Sequence, residues 1–498
     1  MSSEVTVTAQ RRRFRGEIVA LQVIVVIFLL LRVYFDLNAD LFGDEAYYWM
    51  WGQHLSWSYF DHPPLHAWLL GLVSLVAGWH PLSVRLLTWL TLAGVFVIFR
   101  DWAKRLAPDD TDLWFWRSAA IYLSSPLFFG MTMIAYHDHL LVFLSLLAIH
   151  CFVLFTDKYE TGQRRALLWL YLAAVALGLA MLSKYNGVFV GLGFLAAFLL
   201  RPGLRPLLRT PHPWLAALLA LIMQAPVVWW NLTEGLASFQ YHLSDRWGGH
   251  AGQLNWSSPP IFLGLAALIW SPFLIWPLIR MLRGKPASDF EDRARALVMP
   301  NFAIATAILF VIALPLGAYF YWDIVAFIGL MPLIQRYTGK WLAYVHYAFG
   351  LLCAGLIVAN FALTPVAPAL IGLIDRGSSI NYGWGEIAGH VQLAEAGNPT
   401  DMVGATRYST TSQLGFALGI SDAVKLSAEH SQYDYWQDGL PMAGKSAIIL
   451  TDEGDGSGVI NWLGGHFTNL TQVDSFDIVR FGKPIYHWRL FRGESFQP

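Results

Sequence analysis

Apolar runs of membrane length recur along this chain, and nothing else in it restricts the fold as strongly. With a window of about 19 residues they fall near 17–36, 81–100, 113–134, 138–156, 166–183, 186–200, 213–230, 259–279, 297–316, 322–335 and 341–361. Backbone inside hydrocarbon must satisfy its own hydrogen bonds, so such runs are helices. The expected fold class is mainly α, a polytopic transmembrane bundle of about eleven spans and thirteen at most. Leu65 to Ala77 is apolar too, but about 13 residues at 1.5 Å each cannot cross a 30 Å core, so it is expected to be re-entrant or juxtamembrane. Ile18 to Leu31 follows Arg11-Arg12-Arg13-Phe14-Arg15 as a secretory signal would. No small-residue cleavage site follows it, and it is read as a retained first helix. A hydrophobic fraction of 56% and a charged fraction of 13%, with a mean hydropathy of +0.46, lie outside the balance of a soluble domain.

Charge placement orients the bundle. With the N-terminus in the cytoplasm, one set of connections carries Arg11–Arg15, Lys104 and Arg105, Lys158, Arg164 and Arg165, Arg201, Arg205 and Arg209, Arg280 to Arg295, and Arg336 with Lys340. The alternate connections carry little beyond Lys184 and Arg246, which is the asymmetry of a positive-inside protein. A formal net charge of -1 argues against a nucleic-acid partner, which calls for a basic patch. Cys151 and Cys353 lie in apolar runs and offer neither a disulfide framework nor metal-ligand spacing. After Phe361 the character changes. From about Asp375 the chain mixes polar and apolar residues, with β-rich runs at Ser446–Thr451 and Phe476–Arg480 between turns. The expected division is a transmembrane domain over 1–370 and an extracytoplasmic α/β domain over 371–498.

The acids of interest follow the first span. Leu41-Phe-Gly-Asp44-Glu45-Ala-Tyr47-Tyr48-Trp49 leads, on the same loop, to Ser58-Tyr59-Phe60-Asp61-His62-Pro63-Pro64-Leu65. Ionisable groups at a membrane are costly and tend to be functional; an aromatic belt explains the tyrosines and tryptophans but not acids among them. The other outer connections carry Tyr136-His137-Asp138-His139, Ser183-Lys184-Tyr185-Asn186, Tyr241-His242 with Arg246, and Tyr319-Phe320-Tyr321-Trp322-Asp323. Polar residues thus converge on one face, as a composite outer site requires. Asp44 or Glu45 can serve as general base toward an acceptor hydroxyl. Lys184 and Arg246 can clamp a phosphate, one as a point charge and the other through a bidentate fork. Base and anion clamp together suit transfer of a group off a lipid-linked phosphate. Each residue has a plainer reading: Asp44 paired with Arg246, Lys184 snorkelling at a helix end, His62 as a turn histidine. His137 and His139 suggest a divalent metal only weakly, because His-x-His alone is not a site.

In order, Gly43-Asp44-Glu45-Ala46-Tyr47-Tyr48, Tyr59-Phe60-Asp61-His62-Pro63-Pro64-Leu65, Asp138 and Ser183-Lys184-Tyr185 resemble the lipid-phosphate-sugar-dependent membrane glycosyltransferases of GT-C architecture. The closer likeness is to the bacterial branch related to protein O-mannosyltransferases, which includes lipid A aminoarabinose transferases and rhizobial lipopolysaccharide galacturonosyltransferases. The resemblance covers most of 20–360. It implies inverting transfer from a polyprenyl-phosphate-sugar donor to a hydroxyl of a glycan, lipid or protein acceptor outside the cytoplasm, in a bacterial inner membrane. Asp44 matches the catalytic acid of the first loop and Asp138 the acid of the second, with Glu45 beside them. Asp61, His62, Lys184 and Arg246 fall to the donor phosphate, and Tyr47, Tyr48, Tyr59, His137 and Tyr321 to the substrate pocket. Where the aminoarabinose transferases carry Lys before the two prolines this chain has His62, so an always-charged contact becomes one that titrates near neutrality. The alternative is a lipid or sugar-lipid transporter, although transporters bring ionisable residues to the midplane on broken helices.

Overall fold

The structure, a computed structural model, describes residues 2–243 and 254–497. Among them six helices are long and apolar enough to span a membrane: Arg15–Asn38, Pro81–Leu106, His137–Glu160, Ala166–Ser183, Asp289–Leu316 and Lys340–Ala362. Two bent pairs, His212–Ile222 with Ala225–Thr233 and Ser258–Trp270 with Pro272–Arg283, turn by 44° and 89° and raise the number to eight if each pair is one span. The remaining three of the eleven expected stretches are not single helices of spanning length, for local reasons. Proline lacks the amide hydrogen that continues a helix, and Pro126 restarts the 113–134 stretch as Thr111–Leu123 and Pro126–Met133. Val188–Leu200 has 13 residues, about 20 Å of helix. The 322–335 stretch forms only the short pieces Ile324–Ile328 and Met331–Ile334 around Gly329.

The chain divides into two compact units. The first comprises Met1–Leu31, His62–Leu65 and Leu87–Gly355. His137–Glu160 is the most enclosed of its long helices, with 83% of its apolar window buried, so the His137-Asp138-His139 turn that begins it sits on a rigid element. At the other end of this helix Arg293 bonds Asp157 and Glu160 at 2.9 and 3.0 Å. The apolar Leu65–Ala77 helix has 13 residues, as expected of a segment too short to span.

The second unit comprises Arg32–Asp61, His66–Leu86 and Leu356–Pro498. Its centre is a five-stranded sheet of order β2-β1-β3-β5-β4, with β1 at Met402–Ala405, β2 at Val424–Lys425, β3 at Ala447–Asp452, β4 at Phe467–Arg480 and β5 at Lys483–Phe496. β1 runs parallel to β2 and β3, and β5 is antiparallel to β3 and β4. β4 and β5 form a hairpin whose turn, Phe481-Gly482, has positive φ at both residues (51° and 75°), the backbone that a two-residue hairpin connection needs. Apolar side chains cover both faces. Trp384, Ile387, Leu414 and Trp488 pack on one, and Leu426, Leu463, Phe467 and Phe491 on the other. Both β-rich runs seen in the sequence are strands, β3 and the end of β4.

Candidate active site

In the second unit the Gly43–Gln53 helix carries Asp44 and Glu45 in its first turn, where carboxylates complement the helix dipole. Glu45 is wholly buried. It accepts the Phe42 amide hydrogen at 3.1 Å and faces Arg85, whose Nε and Nη2 donate to its two oxygens at 3.0 and 2.8 Å. Arg85 also donates to the carbonyls of Ala39 and Asp40, both at 3.0 Å. Glu45 therefore fixes the start of the helix that presents Asp44.

Asp44 meets the C-terminal part of the chain. Gly43 has no Cβ, and one added there would stand 2.6 Å from that of Ser409, so the helix Tyr408–Leu418 approaches closely. Tyr408 donates its hydroxyl to Asp44 Oδ1 at 3.1 Å. The Asp44 charge, with burial and then Asp61, pushes the Tyr408 hydroxyl well above the usual phenol range, so it remains a donor. Tyr47 behaves alike: burial, then Asp61, raises its pKa. It donates to Asp61 and accepts the Gln432 amide hydrogen at 2.8 Å. The Tyr47 ring lies 4.5 Å from that of Tyr408 and 6.1 Å from that of Tyr433. Asp44 and Asp61 are thus gathered onto adjacent tyrosine hydroxyls. Tyr48 and Tyr59, expected in the pocket, pack in the core around Trp51; Tyr59 donates to the Trp51 carbonyl at 2.9 Å.

The first unit holds the other candidates. Lys184 Nζ stands 2.9 and 2.8 Å from the two oxygens of Asp138, a nearly enclosed pair with side-chain exposures of 8% and 3%, and 5.1 Å over the Tyr321 ring. The His62 ring lies 4.4 Å from His137 and 6.0 Å from His242, and His242 meets Tyr185 edge-on at 5.2 Å. His139 Nδ1 shares a hydrogen with Thr91 at 3.1 Å. Among the described residues no group of three His, Cys, Asp or Glu side chains has a metal-holding arrangement. Asp323, at the end of the Phe320–Asp323 turn, is buried and accepts the Thr306 hydroxyl at 2.7 Å.

Asp44, Glu45, Tyr47, Tyr48, Tyr59 and Asp61 thus lie in one unit, and His62, His137, Asp138, Lys184 and Tyr321 in the other. Arg246 lies outside the described residues, and with it the reading of Asp44 as its partner. Residue chemistry alone missed Arg85, Tyr408 and Gln432. Arg85 carried a signal, since a lone cation inside an apolar run needs a carboxylate partner. Tyr408 carried none, being 364 residues from Asp44.

Residues 61–230 match the dolichyl-phosphate-mannose-protein mannosyltransferase family. Through that match and the relatives below, the chain is similar to membrane glycosyltransferases of the GT-C kind, as the order of its motifs suggested. It is similar to the lipid A galacturonosyltransferase RgtD of Rhizobium johnstonii, 27% identical over 359 residues that cover 68% of this chain and 69% of that protein. Its fold is similar to that of ArnT from Cupriavidus metallidurans bound to undecaprenyl phosphate, with a TM-score of 0.63 and 14% identity over 94% of this chain and 97% of that one. The apo state of the same protein gives a TM-score of 0.60 over the same coverage.

Proposed function

We propose that the protein transfers a sugar from a polyprenyl-phosphate donor to a hydroxyl of lipid A or a related envelope glycolipid, at the non-cytoplasmic face and with inversion. The observation that carries this reading is the carboxylate of Asp44, held by the Tyr408 hydroxyl at 3.1 Å on a helix that the buried Glu45–Arg85 pair anchors. A base must be oriented before it can take a proton in the transition state. The acceptor O–H gives its proton to Asp44 and its oxygen bonds to the anomeric carbon. The bond from that carbon to the phosphate oxygen breaks, and the electron pair leaves with polyprenyl phosphate. Single displacement inverts the anomeric centre. Lys184, set by Asp138, is assigned to the departing phosphate together with His62 and Arg246, and Asp61 to the donor side. The donor class follows the undecaprenyl phosphate of the ArnT structure, and the acceptor class the lipid A of the RgtD name. The Arg- and Lys-rich connections are assigned to the cytoplasm and the C-terminal domain to the opposite side.

Purified protein in nanodiscs, given a polyprenyl-phosphate sugar and lipid A, is expected to form a covalent product detectable by mass spectrometry. A transporter would leave both lipids chemically unchanged, and that result with a panel of uronic acid, neutral and amino-sugar donors would refute the enzyme reading. An alkaline phosphatase fused after Pro498 is expected to be active; an inactive fusion would invert the orientation.

A further inference from the structure

A second concave site lies in the C-terminal domain, at the carboxyl ends of the parallel strands. The chain leaves β1 for β2 on one side and returns to β3 on the other, since the order is β2-β1-β3 with β1 parallel to both neighbours. In an open α/β sheet that reversal leaves a crevice at the strand ends, where ligands bind. A cavity of about 420 Å³ opens there, lined among others by Thr406, Arg407, Glu429, Asp455, Gly458 and Trp462, within the range of about 300–1,000 Å³ of small-molecule sites.

Its wall is built before any ligand arrives. Thr406 donates its hydroxyl to Asp455 Oδ2, Asp455 Oδ2 accepts the Asp452 amide hydrogen at 3.1 Å, and Arg407 Nε stands 3.3 Å from Asp455 and 3.4 Å from Asp452. Asp452 and Asp455 are nearly fully buried, which fixes the guanidinium plane. Arg407 Nη1 makes no hydrogen bond to the described residues, so donors remain for a ligand. Trp462 stacks on His466 at 3.9 Å and lines the cavity. Charge then selects among ligands. The helix Ser457–His466 begins at this crevice, and a helix start alone favours an anion. Arg407 faces the carboxylates of Asp452 and Asp455; Lys425, which also acts on Glu429, is paired with Asp434 at 2.7 Å, so carboxylates outnumber the cations at the crevice and oppose an anion. Carboxylate and guanidinium edges pair with adjacent hydroxyls, and an indole supplies an apolar surface for a C–H face.

We infer that this crevice binds a neutral or amino-sugar pyranose, as a docking point for the acceptor glycan. The transferase reading is needed only for assigning the sugar to the acceptor. The site is wired to the catalytic acid: Arg407 directly precedes Tyr408, and Glu429 accepts the Tyr408 amide hydrogen at 3.0 Å. A sugar held by Arg407 and Glu429 therefore grips both sides of the residue whose hydroxyl holds Asp44.

The test uses the full-length protein in nanodiscs and saturation-transfer NMR with three probes: glucosamine, methyl glucoside and galacturonate. Glucosamine and methyl glucoside are expected to bind, galacturonate several-fold more weakly. A Cβ at Gly458 meets open space, so Gly458→Leu fills the cavity without a backbone clash, and Trp462→Ala removes the platform. Each is expected to weaken binding about tenfold with an unchanged size-exclusion profile. Undiminished binding in both folded variants, strongest binding of galacturonate, or binding of none of the three to wild type would overturn the inference. The readout is free-sugar binding, so failure of transfer leaves it standing and its failure leaves transfer untouched.

Discussion

Arg85→Met tests the anchoring of the helix that carries Asp44. Arg85 is fully buried and donates four hydrogen bonds of 2.8 to 3.0 Å, two to Glu45 and two to the carbonyls of Ala39 and Asp40, with Asp36 at 4.0 Å from its Nε. The gross attraction of such a pair is large, but desolvation takes most of it back, so the pair as a whole contributes little net stability. Removing one partner is different, because the other charge is stranded. Loss of Arg85 leaves Glu45 with 0% exposure and should cost about 3–5 kcal/mol. At about 2–4 °C per kcal/mol for a unit of this size, the melting midpoint should fall by about 6–20 °C. Glu45→Gln should cost less, since an amide still accepts from the guanidinium. The double variant Arg85→Met/Glu45→Met should regain part of the loss, because Glu45 is no longer stranded while the buried Asp36 still loses Arg85. Folded fraction against temperature, read by fluorescence-detected size exclusion on wild type, Arg85→Met, Glu45→Met and the double variant, gives all four corners of the cycle. Additive single effects, or an Arg85→Met protein as stable as wild type, would refute the reasoning.

Tyr408→Phe removes one hydrogen bond to a charged acceptor, worth about 1.5–3 kcal/mol, so kcat should fall roughly 10–100-fold while KM for the lipid donor holds; equal rates would remove Tyr408 as a positioning residue. Because the Tyr408 pKa is raised, the stability lent by its neutral hydroxyl is complete below the unfolded value of about 10 and lost only as pH climbs through the higher folded value. Wild-type pH–rate profiles should therefore show no Tyr408-dependent alkaline limb below about pH 10; one that Tyr408→Phe abolished would contradict the assignment. Lys184→Met should raise the donor KM about tenfold or more and, by stranding the enclosed Asp138 carboxylate, destabilise the protein. Asp138→Asn should disturb donor affinity less, and an unchanged donor KM in Lys184→Met would take Lys184 off the phosphate.

Hydropathy located the helices well where one apolar run makes one straight helix, as at His137–Glu160. The runs at 113–134 and 322–335 are instead built in pieces, at Pro126, where an amide hydrogen is missing, and around Gly329, and a hydropathy window registers neither break. The acids of the first loop were visible because charge beside a membrane is expensive. Their division of labour was not. Asp44 and Glu45 are adjacent and chemically alike, yet Glu45 turns to a buried Arg85 and Asp44 to Tyr408 from the far end of the sequence. The pairing of Asp138 with Lys184 was likewise hidden, because both were legible singly but nothing in their spacing of 46 residues brings them together. Arg85 could have been found by asking which carboxylate a lone intramembrane arginine would need.

Asp44→Asn measures the central claim most directly. The substitution keeps shape and an acceptor for the Tyr408 hydroxyl but cannot take a proton from the acceptor hydroxyl. Sugar transfer from a polyprenyl-phosphate donor should fall roughly 10²–10⁴-fold, with donor binding and the size-exclusion profile unchanged. A folded Asp44→Asn protein that transfers sugar at the wild-type rate would contradict the account.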